Sequence, residues 1–268
     1  MRRSKKALVA LVLALGLSTG VSAASLRVDG MTVNSDVSPR VIGNTTYVSL
    51  RAVSQALRRD ASISWEGQAV VRTNDLTLTA QSGDCYVQAN GRALYVANAV
   101  QAVGGRILVP VRVLAKAMDA QVNWDAATGD VNIVRGSGTI APGEAAYSAD
   151  DLYWLSRIIS AESQGEPMAG KIAVGNVVLN RVKSSDFPNS VYDVIFDSRW
   201  GGQFTPVSNG TIYNEPTAES VMAAKLCLDG ANTVGNSLYF LAPAIAQNHW
   251  AMSSRTYVTT IGSHWFYL

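Results

Sequence analysis

An internal repeat constrains this chain more than any other feature of its sequence. Between residues 26 and 135, positions recur at a spacing of 61. The matched residues are Asp29-Gly30 with Asn90-Gly91, Gly43 with Gly104, and Tyr47-Val48-Ser49-Leu50-Arg51 with Leu108-Val109-Pro110-Val111-Arg112. A repeat of this kind indicates that one supersecondary unit occurs twice. This part of the chain is therefore predicted to fold from two similar halves.

Each copy predicts the order strand, strand, helix, strand. The helices are amphipathic stretches at residues 52–57 and 113–118, and each leads into a strand that ends in Trp65 or Trp124. The Asp-Gly and Asn-Gly pairs supply the positive φ angles that tight hairpins require. We therefore expect a mainly-β domain made of a duplicated β-β-α-β unit. Sheet core is the favoured place for the two tryptophans, and sugar-stacking surfaces are the alternative, because aromatic rings serve both roles.

This pattern resembles the copper amine oxidase N-terminal-like domain, a module attached to many exported bacterial proteins. Copper oxidase chemistry needs imidazole ligands and a modified tyrosine, whereas the two histidines of the chain, His249 and His264, lie outside the repeat. The resemblance therefore implies a non-catalytic domain over residues 24–136, which serves as a wall-binding module or a spacer. We predict no copper site there.

The first residues of the chain have the pattern of an export signal. Four basic residues within positions 2–6 precede an apolar run over residues 7–17, and Val21-Ser22-Ala23 forms a small-x-small cleavage site. The run is shorter than the about 20 residues that span a bilayer, so cleavage after residue 23 is predicted and an uncleaved anchor is the alternative. We expect an exported protein without a membrane partner after cleavage.

Removal of the signal peptide changes the charge of the chain. The full sequence has 22 Lys and Arg against 20 Asp and Glu, and four of the basic residues belong to the signal. The remainder has a formal charge of −2, without the basic surplus that nucleic acid binding requires. Nucleic acid is therefore excluded as an expected partner. Cys85 and Cys227 are too few for a disulfide framework, and buried thiols are favoured over an interdomain disulfide.

A helix that carries Glu162 opens the second region. The Gly-, Ser- and Pro-rich stretch at residues 136–143 predicts a flexible linker, placed at residues 137–147, with the second domain at residues 148–268. Ser148 is a helix cap with an acidic residue three positions on. Leu155, Ile158 and Glu162 follow at helical spacing, which places Glu162 on the inward face. Burial would favour the neutral carboxyl that a general acid needs, although a solvent-exposed or ion-paired glutamate is the commoner outcome for such a pattern alone.

A series of motifs follows in a fixed order. They are Ala161-Glu162-Ser163-Gln164-Gly165-Glu166-Pro167, Val178-Leu179-Asn180-Arg181-Val182, Phe187-Pro188, Gln203-Phe204-Thr205-Pro206, Leu238-Tyr239-Phe240 and Ile261-Gly262-Ser263-His264-Trp265-Phe266. Residues 148–268 thereby resemble the SleB/CwlJ type of cell-wall hydrolase, the family of spore-cortex-lytic enzymes. The match departs at Ser163-Gln164, where the family commonly has alanine and a basic residue.

The resemblance implies an α+β lysozyme-like catalytic domain that cleaves peptidoglycan glycan strands between MurNAc and GlcNAc, with Glu162 as the acid. A lytic transglycosylase needs one such group, whereas most glycosidases use two carboxylates. The candidates for a second carboxylate lie in less apolar contexts, so hydrolysis is the second choice. These candidates are Glu166, Glu215, Glu219, Asp193 and Asp197.

Substrate contacts are predicted for six further residues: Glu166, Gln203, Phe204, Thr205, Tyr239 and His264. The alternatives are a backbone cap for Glu166, core packing for Phe204 and Tyr239, and a structural bridge between strands for His264. No metal and no cofactor are predicted, because His249 and His264 lack the spacing and the further ligands of a zinc site.

Two other functions remain open at this stage. One is a non-catalytic wall-binding protein whose enzyme domain has decayed, and the other, among enzymes, is a muramidase or an amidase. A role in cortex lysis during germination is implied by the resemblance alone. The sequence indicates no particular protein partner.

Overall fold

The structure is a computed structural model that describes residues 25–199, 201–244, 246 and 250–268. The predicted signal peptide and His249 lie outside these residues. The chain forms two regions, the first mainly β and the second mainly helical, which confirms the predicted two-region architecture. No helix among the described residues has the length and apolar character needed to cross a membrane.

The first region is built from short strands and two helices. In chain order its elements are β1 Leu26–Val28, β2 Met31–Thr32, β3 Arg40–Ile42, β4 Thr45–Ser49, α1 Leu50–Leu57, β5 Ser62–Trp65, β6 Ala69–Arg72, β7 Thr77–Ala80, β8 Tyr86–Ala89, β9 Arg92–Tyr95, β10 Gln101–Val103, β11 Arg106–Pro110, α2 Val111–Ala117, β12 Gln121–Trp124 and β13 Val131–Val134. The strands form three sheets with the orders β12-β13-β1-β2, β10-β11-β4-β3 and β5-β6-β7-β8-β9.

Positions one repeat apart face each other at the centre of the first region. Strands β4 and β11 pair antiparallel, so that Val48 lies opposite Val109. The hairpin turns also correspond, because Asp29 and Asn90 have φ angles of 50° and 48°. Equivalent residues that meet across an antiparallel pair define a local two-fold axis between the two copies.

The expectation that Trp65 and Trp124 belong to the sheet core is wrong. They are 66% and 60% exposed and do not belong to the sheet core. Each tryptophan is the last residue of a strand at the edge of a sheet, Trp65 of β5 and Trp124 of β12. Ile63 and Val122, two residues earlier on the same face, pack against the core, and the strands then extend past it. Alternation predicts the face of a strand but not where the core beneath it ends.

The segment between the two regions is anchored rather than flexible. Ile140 is buried in the core of the first region, and the Thr139 hydroxyl donates to the Asp75 carbonyl oxygen at 3.1 Å. The Gly143 N–H donates to the Asn90 carbonyl oxygen at 2.8 Å, at the start of helix α3, Gly143–Ala146. The expectation of a flexible linker is wrong because glycine and serine permit mobility without enforcing it.

The second region packs three long helices around an apolar core. Its elements are α4 Ala149–Ser163, α5 Met168–Lys183, α6 Val191–Ile195, α7 Thr205–Ser208, a 3-10 helix at Thr211–Tyr213, α8 Ala218–Leu228, β14 Tyr239–Leu241, α9 Trp250–Ser254, β15 Tyr257–Ile261 and β16 His264–Tyr267. Ser148 caps α4 through its hydroxyl oxygen, as predicted, and Thr217 caps α8 in the same way. The strands form one antiparallel sheet in the order β14-β16-β15, and Phe266 of β16 is buried against α5.

The two regions meet at a carboxylate. The Asp229 side chain, 1% exposed, follows α8 and pairs with Arg92 of β9. It also accepts a hydrogen bond from the Tyr147 hydroxyl and lies 3.3 Å from the Lys116 ammonium group. Ala93 of β9 is buried in the core of the second region. The interface therefore combines a shared apolar contact with a buried charge cluster.

Both cysteines are free thiols. Cys227 is buried in α8, whereas Cys85 is only half-buried. Burial raises the pKa of both thiols, which favours their neutral forms.

Candidate active site

A cleft of about 840 Å³ opens in the second region beside the last turn of α4. Its volume is typical of a ligand site. The predicted site residues that line this cleft are Glu162, Gln203, Phe204, Thr205 and His264. Side chains from α4, α5, the loop before α7, β14 and β16 thus converge on one cavity.

Glu162 lies in the last turn of α4. Leu155, Ile158 and Ile159 of the same helix are buried in the core, and this packing turns the Glu162 side chain inward, toward the cleft. The Glu162 carboxyl group is half-buried and makes no hydrogen bond to any described residue. Burial raises its pKa from 4.5 to about 7, and the positive charge of Arg181 acts in the opposite direction. Glu162 is therefore protonated much more often near neutral pH than an ordinary glutamate.

Arg181 of α5 is a buried cation close to this acid. It is 5% exposed, and its Nε donates to the Leu238 carbonyl oxygen at 2.8 Å. Its guanidinium lies over the rings of Phe187 and Phe204, at 4.9 and 5.3 Å from their centroids. Burial lowers its pKa to about 10, so Arg181 keeps its charge at neutral pH.

Arg181 is the main site residue that the sequence did not single out. Its motif was recognised, but the burial of an arginine depends on which elements surround it. The aromatic rings that cover it come from three separate segments of the chain, at Phe187, Phe204 and Tyr239. The available signal was a cation within an otherwise apolar helix, since α5 buries residues along most of its length.

Glu166 lies outside the residues that line the cleft. Its carboxylate accepts hydrogen bonds from the Ser263 backbone N–H at 3.1 Å and from the Ser263 hydroxyl. Burial alone would raise its pKa, but the Ser263 hydrogen bonds together with the nearby basic groups His264 and Lys171 lower the pKa overall. A Cβ atom at Gly262 would meet the carboxylate at 1.7 Å. Glu166 therefore fixes the β15–β16 turn against the start of α5, and this placement favours a structural role.

His264 connects this turn to the cleft. It is 6% exposed, lines the cleft, and packs edge-on against Phe240 with 5.3 Å between ring centroids. Its Nδ1 lies 3.5 Å from Glu166 Oε1. Burial lowers its pKa more than Glu166 raises it, so the imidazole is neutral near pH 7.

The three residues predicted from the Gln-Phe-Thr segment have different environments. Phe204 is 5% exposed and packs in the core, although its edge reaches the cleft wall. The Gln203 Oε1 atom accepts a hydrogen bond from Arg181 at 3.4 Å, and Thr205 is exposed at the start of α7. Gln203 and Thr205 therefore present polar groups to the cleft.

Tyr239 does not line the cleft, whereas its neighbour Phe240 does. The hydroxyl of Tyr239, for which a substrate contact was predicted, instead accepts a hydrogen bond from Arg255 at 3.0 Å. Successive residues of a strand point to opposite faces, and the cleft lies on the face of Phe240. The sequence could not show which face of the sheet borders the cleft.

Glu215 is the second carboxylate that lines the cleft among the described residues. Its side chain is 86% exposed and pairs with Arg157 at 3.0 Å. The other candidates are engaged elsewhere: Asp197 with Arg199, Asp193 with Ser190, and Glu219 with Lys171. Within the described residues, no group of three or more His, Cys, Asp and Glu side chains could hold a metal. The cleft thus contains one desolvated acid and one solvated, ion-paired acid.

Comparison with known proteins identifies both regions. The family model described as Cell Wall Hydrolase matches residues 165–267, and the model described as Copper amine oxidase N-terminal domain matches residues 27–133. The first match includes Arg181 and His264 but begins after Glu162, so it does not itself test the acid.

Curated relatives agree with the first of these matches. The spore cortex-lytic enzyme of Bacillus cereus is 38% identical over 120 residues, which are 45% of this chain and 45% of that protein. The cell wall hydrolase CwlJ of Oceanobacillus iheyensis is 30% identical over 95 residues, which are 33% of this chain and 66% of that protein. The chain thus spans less than half of the length of the spore cortex-lytic enzyme.

A solved structure is also similar. The catalytic domain of the germination-specific lytic transglycosylase SleB from Bacillus anthracis is 37% identical, with a TM-score of 0.42, and the match covers 48% of this chain and 100% of that domain. From the two family matches, the chain carries a cell wall hydrolase domain, preceded by a copper amine oxidase N-terminal domain.

Proposed function

We propose that the chain is an exported peptidoglycan-cleaving enzyme, a lytic transglycosylase that cuts between MurNAc and GlcNAc with Glu162 as both acid and base. The observation that carries this proposal is a half-buried carboxyl group at a cleft, with a pKa of about 7. The cell wall hydrolase match and the spore cortex-lytic relatives support peptidoglycan as the substrate. They also support action at the cell wall or the spore cortex, where the predicted signal peptide would direct the protein.

In the first step, protonated Glu162 donates its proton to the glycosidic oxygen as the bond from that oxygen to muramyl C1 breaks. A carboxyl group with a pKa near the working pH is present in both protonation states. It can therefore act as an acid and leave behind a carboxylate that is still a useful base.

In the second step, the Glu162 carboxylate takes the proton of the muramyl C6 hydroxyl, whose oxygen forms a bond to C1. The product ends in a 1,6-anhydro ring, the proton is back on Glu162, and no water is consumed. This sequence needs one carboxyl group, unlike the two-carboxylate scheme of most glycosidases. It agrees with a cleft in which Glu215 is held by Arg157.

Arg181 influences the pH range in which Glu162 can act as an acid and as a base. Its charge limits the rise in the pKa of Glu162 and stabilises the carboxylate that exists between the two steps. The Gln203 amide is oriented by Arg181, and we assign it, Thr205 and the His264 imidazole to contacts with substrate acetamide and hydroxyl groups. Glu166 and Tyr239 position their neighbours rather than the substrate.

We also propose a fold class for each of the two regions. The second region is assigned a lysozyme-like α+β fold, because a long helix ends at the acid and a small antiparallel sheet forms the opposite wall of the cleft. The first region is assigned an internal duplication on the basis of the pairing of Val48 with Val109. The predicted β-β-α-β order occurs in each copy as β3-β4-α1-β5 and β10-β11-α2-β12, within a longer series of strands.

Mass spectrometry of the muropeptides released from purified peptidoglycan tests this function. The expected products end in 1,6-anhydromuramic acid, which is lighter than the reducing-end product by one water molecule. The reaction is followed with the mature chain, and Glu215→Gln serves as the matched variant because it changes the other carboxylate of the cleft. That variant should release the same anhydro products.

Each alternative outcome assigns a different function. Reducing-end muramic acid would show hydrolysis and would give Glu215 a role in water activation. Free stem peptides without glycan cleavage would show an amidase. No release of soluble material would favour a wall-binding protein without activity.

A further inference from the structure

Two clefts lie on the first region, remote from the acid. One has a volume of about 380 Å³ and the other of about 540 Å³, within the size range of ligand sites. The strand-ending tryptophans lie in them, Trp65 in the smaller and Trp124 in the larger.

The two clefts are built from equivalent positions of the two repeats. Each lies between the helix start and tryptophan strand of one copy and the β-hairpin of the other copy. On the helices and strands, the equivalent lining residues of the smaller and the larger cleft are Leu50 and Val111, Arg51 and Arg112, Ile63 and Val122, Trp65 and Trp124, and Ala69 and Val131. On the hairpins, they are Ala102 and Val41, Gly105 and Asn44, Arg106 and Thr45, and Ile107 and Thr46. The local two-fold axis between Val48 and Val109 relates one cleft to the other.

The two indole rings are exposed at both sites. A single exposed apolar side chain on a protein surface needs no explanation. Two tryptophans at equivalent positions, 66% and 60% exposed and each beside a cleft, are a repeated feature. Each indole offers a large flat face to a ligand at low cost in side-chain entropy.

A guanidinium group accompanies each ring. Arg51 and Arg112 are exposed and form no hydrogen bond or ion pair with any residue that the structure describes. Several other arginines of the first region are paired, for example Arg72 with Glu66 at 2.5 Å. The exposed Arg40 and Arg59 are also without an ion pair to any described residue, but they line neither cleft. An unpaired guanidinium beside an aromatic face can bind a carboxylate through two parallel hydrogen bonds.

We propose that these two clefts are binding sites for peptidoglycan strands, in which a sugar ring stacks on Trp65 or Trp124 and a stem-peptide carboxylate pairs with Arg51 or Arg112. The choice of ligand rests on the proposed function. Peptidoglycan combines the two groups that the clefts complement, pyranose rings with apolar C–H faces and peptides with free carboxylates. The Asp229 cluster holds this region against the catalytic region, so binding would keep the substrate within reach of the acid.

Duplication strengthens such binding. Once one cleft has bound an insoluble wall, the second cleft meets its ligand at a high effective concentration. Loss of both sites should therefore weaken retention far more than loss of either one.

Sedimentation of the mature full chain with insoluble peptidoglycan tests the proposal. All proteins carry Glu162→Gln and are mixed at 4 °C with intact insoluble wall or with chitin, an insoluble polymer of N-acetylglucosamine that has pyranose rings and no carboxylates. The variants are Trp65→Ala/Trp124→Ala, each single change, and Arg51→Ala/Arg112→Ala. Met31→Ala is the matched control, because Met31 is 61% exposed in the same region and lines neither cleft. Thermal unfolding of each variant checks that the fold is retained.

The double tryptophan variant is expected to bind both materials at least about tenfold more weakly, with smaller losses for the single variants. The double arginine variant should lose affinity for intact wall only. Unchanged affinity of the double tryptophan variant, relative to Met31→Ala, would overturn the proposal, and unchanged binding of the arginine variant to intact wall would overturn its carboxylate part. Sugar released during the incubation would contradict the role of Glu162 and not the role of the clefts, because binding is measured from the protein left in solution.

Discussion

The two regions bury different kinds of side chains. The buried polar residues described in the first region are Ser49 and Ser54, which carry no charge. In the second region, Lys171, Arg181, Asp197 and His264 are buried, and the half-buried Glu162 has a raised pKa. Buried ionisable groups lower the stability of a fold unless they are compensated, and groups with perturbed pKa values cluster at functional sites.

The first region instead places its unusual residues on the surface. Trp65 and Trp124 are exposed although they are large and apolar. In our proposals, recognition of the wall belongs to surface features of the first region and cleavage to a desolvated group of the second. The predictions below test whether the two regions are coupled and whether each behaves as the contrast implies.

The largest effect is expected at the contact between the regions. Asp229→Ala would leave Arg92 partly buried without its partner, and removing one member of a buried ion pair costs about 3–5 kcal/mol. Calorimetry should show a lower unfolding temperature and a separation of the two regions into distinct transitions. The control is Asp36→Ala, which breaks the exposed pair with Arg106 and should cost less than about 1 kcal/mol. Equal losses of stability in Asp229→Ala and Asp36→Ala would contradict coupling of the two regions through Asp229.

Glu162→Gln should stabilise the protein at alkaline pH. The pKa of Glu162 is raised from 4.5 to about 7, so its contribution to stability is lost as the pH rises through the folded pKa. The substitution should therefore increase the free energy of unfolding by up to about 3 kcal/mol at pH 8.5 and leave it unchanged at pH 4. Urea unfolding at both pH values measures this difference. A gain of the same size at pH 4 would rule out desolvation of the carboxyl group as the cause.

Arg181→Met should move the pH profile of cleavage. The Arg181 charge lowers the pKa of Glu162. Its removal should therefore shift the alkaline limb of the pH–rate profile, where activity falls, to a higher pH by about one unit. Lys183→Met removes an exposed cation from the same helix and should leave the limb in place. A lower rate with an unchanged limb would mean that Arg181 has only a structural role.

The smallest effect concerns the two repeats. Gly30 and Gly91 both have φ of 79° in equivalent hairpin turns, and a Cβ atom at either position has room. Gly30→Ala and Gly91→Ala should each cost about 1 kcal/mol through backbone strain alone. Chemical denaturation should give equal values. A clear inequality would show that the two copies differ at their turns.

Local signals made the helix starts and the hairpins predictable. Ser148 caps its helix as predicted, because a capping hydroxyl acts within one turn of chain. The position of Glu162 followed from the apolar stripe of α4, since helical periodicity fixes a face.

Features that depend on distant parts of the chain were not predictable. The exposure of Trp65 depends on where the core ends, and the face of Tyr239 depends on which side of the sheet the cleft borders. The burial of Arg181 depends on rings from two loops and a strand. Anchoring of the linker likewise depends on contacts such as that of Ile140 with the first core.

The initial rate of glycosidic cleavage by Glu162→Gln, measured beside Glu215→Gln on the same peptidoglycan at pH 6, tests the central claim most directly. Glutamine keeps the shape of the side chain and cannot supply a proton. The rate of Glu162→Gln should fall by about 100-fold to 10,000-fold, while Glu215→Gln should stay within about tenfold of the unsubstituted chain. A Glu162→Gln rate equal to that of the unsubstituted chain, or a larger loss in Glu215→Gln, would contradict the account.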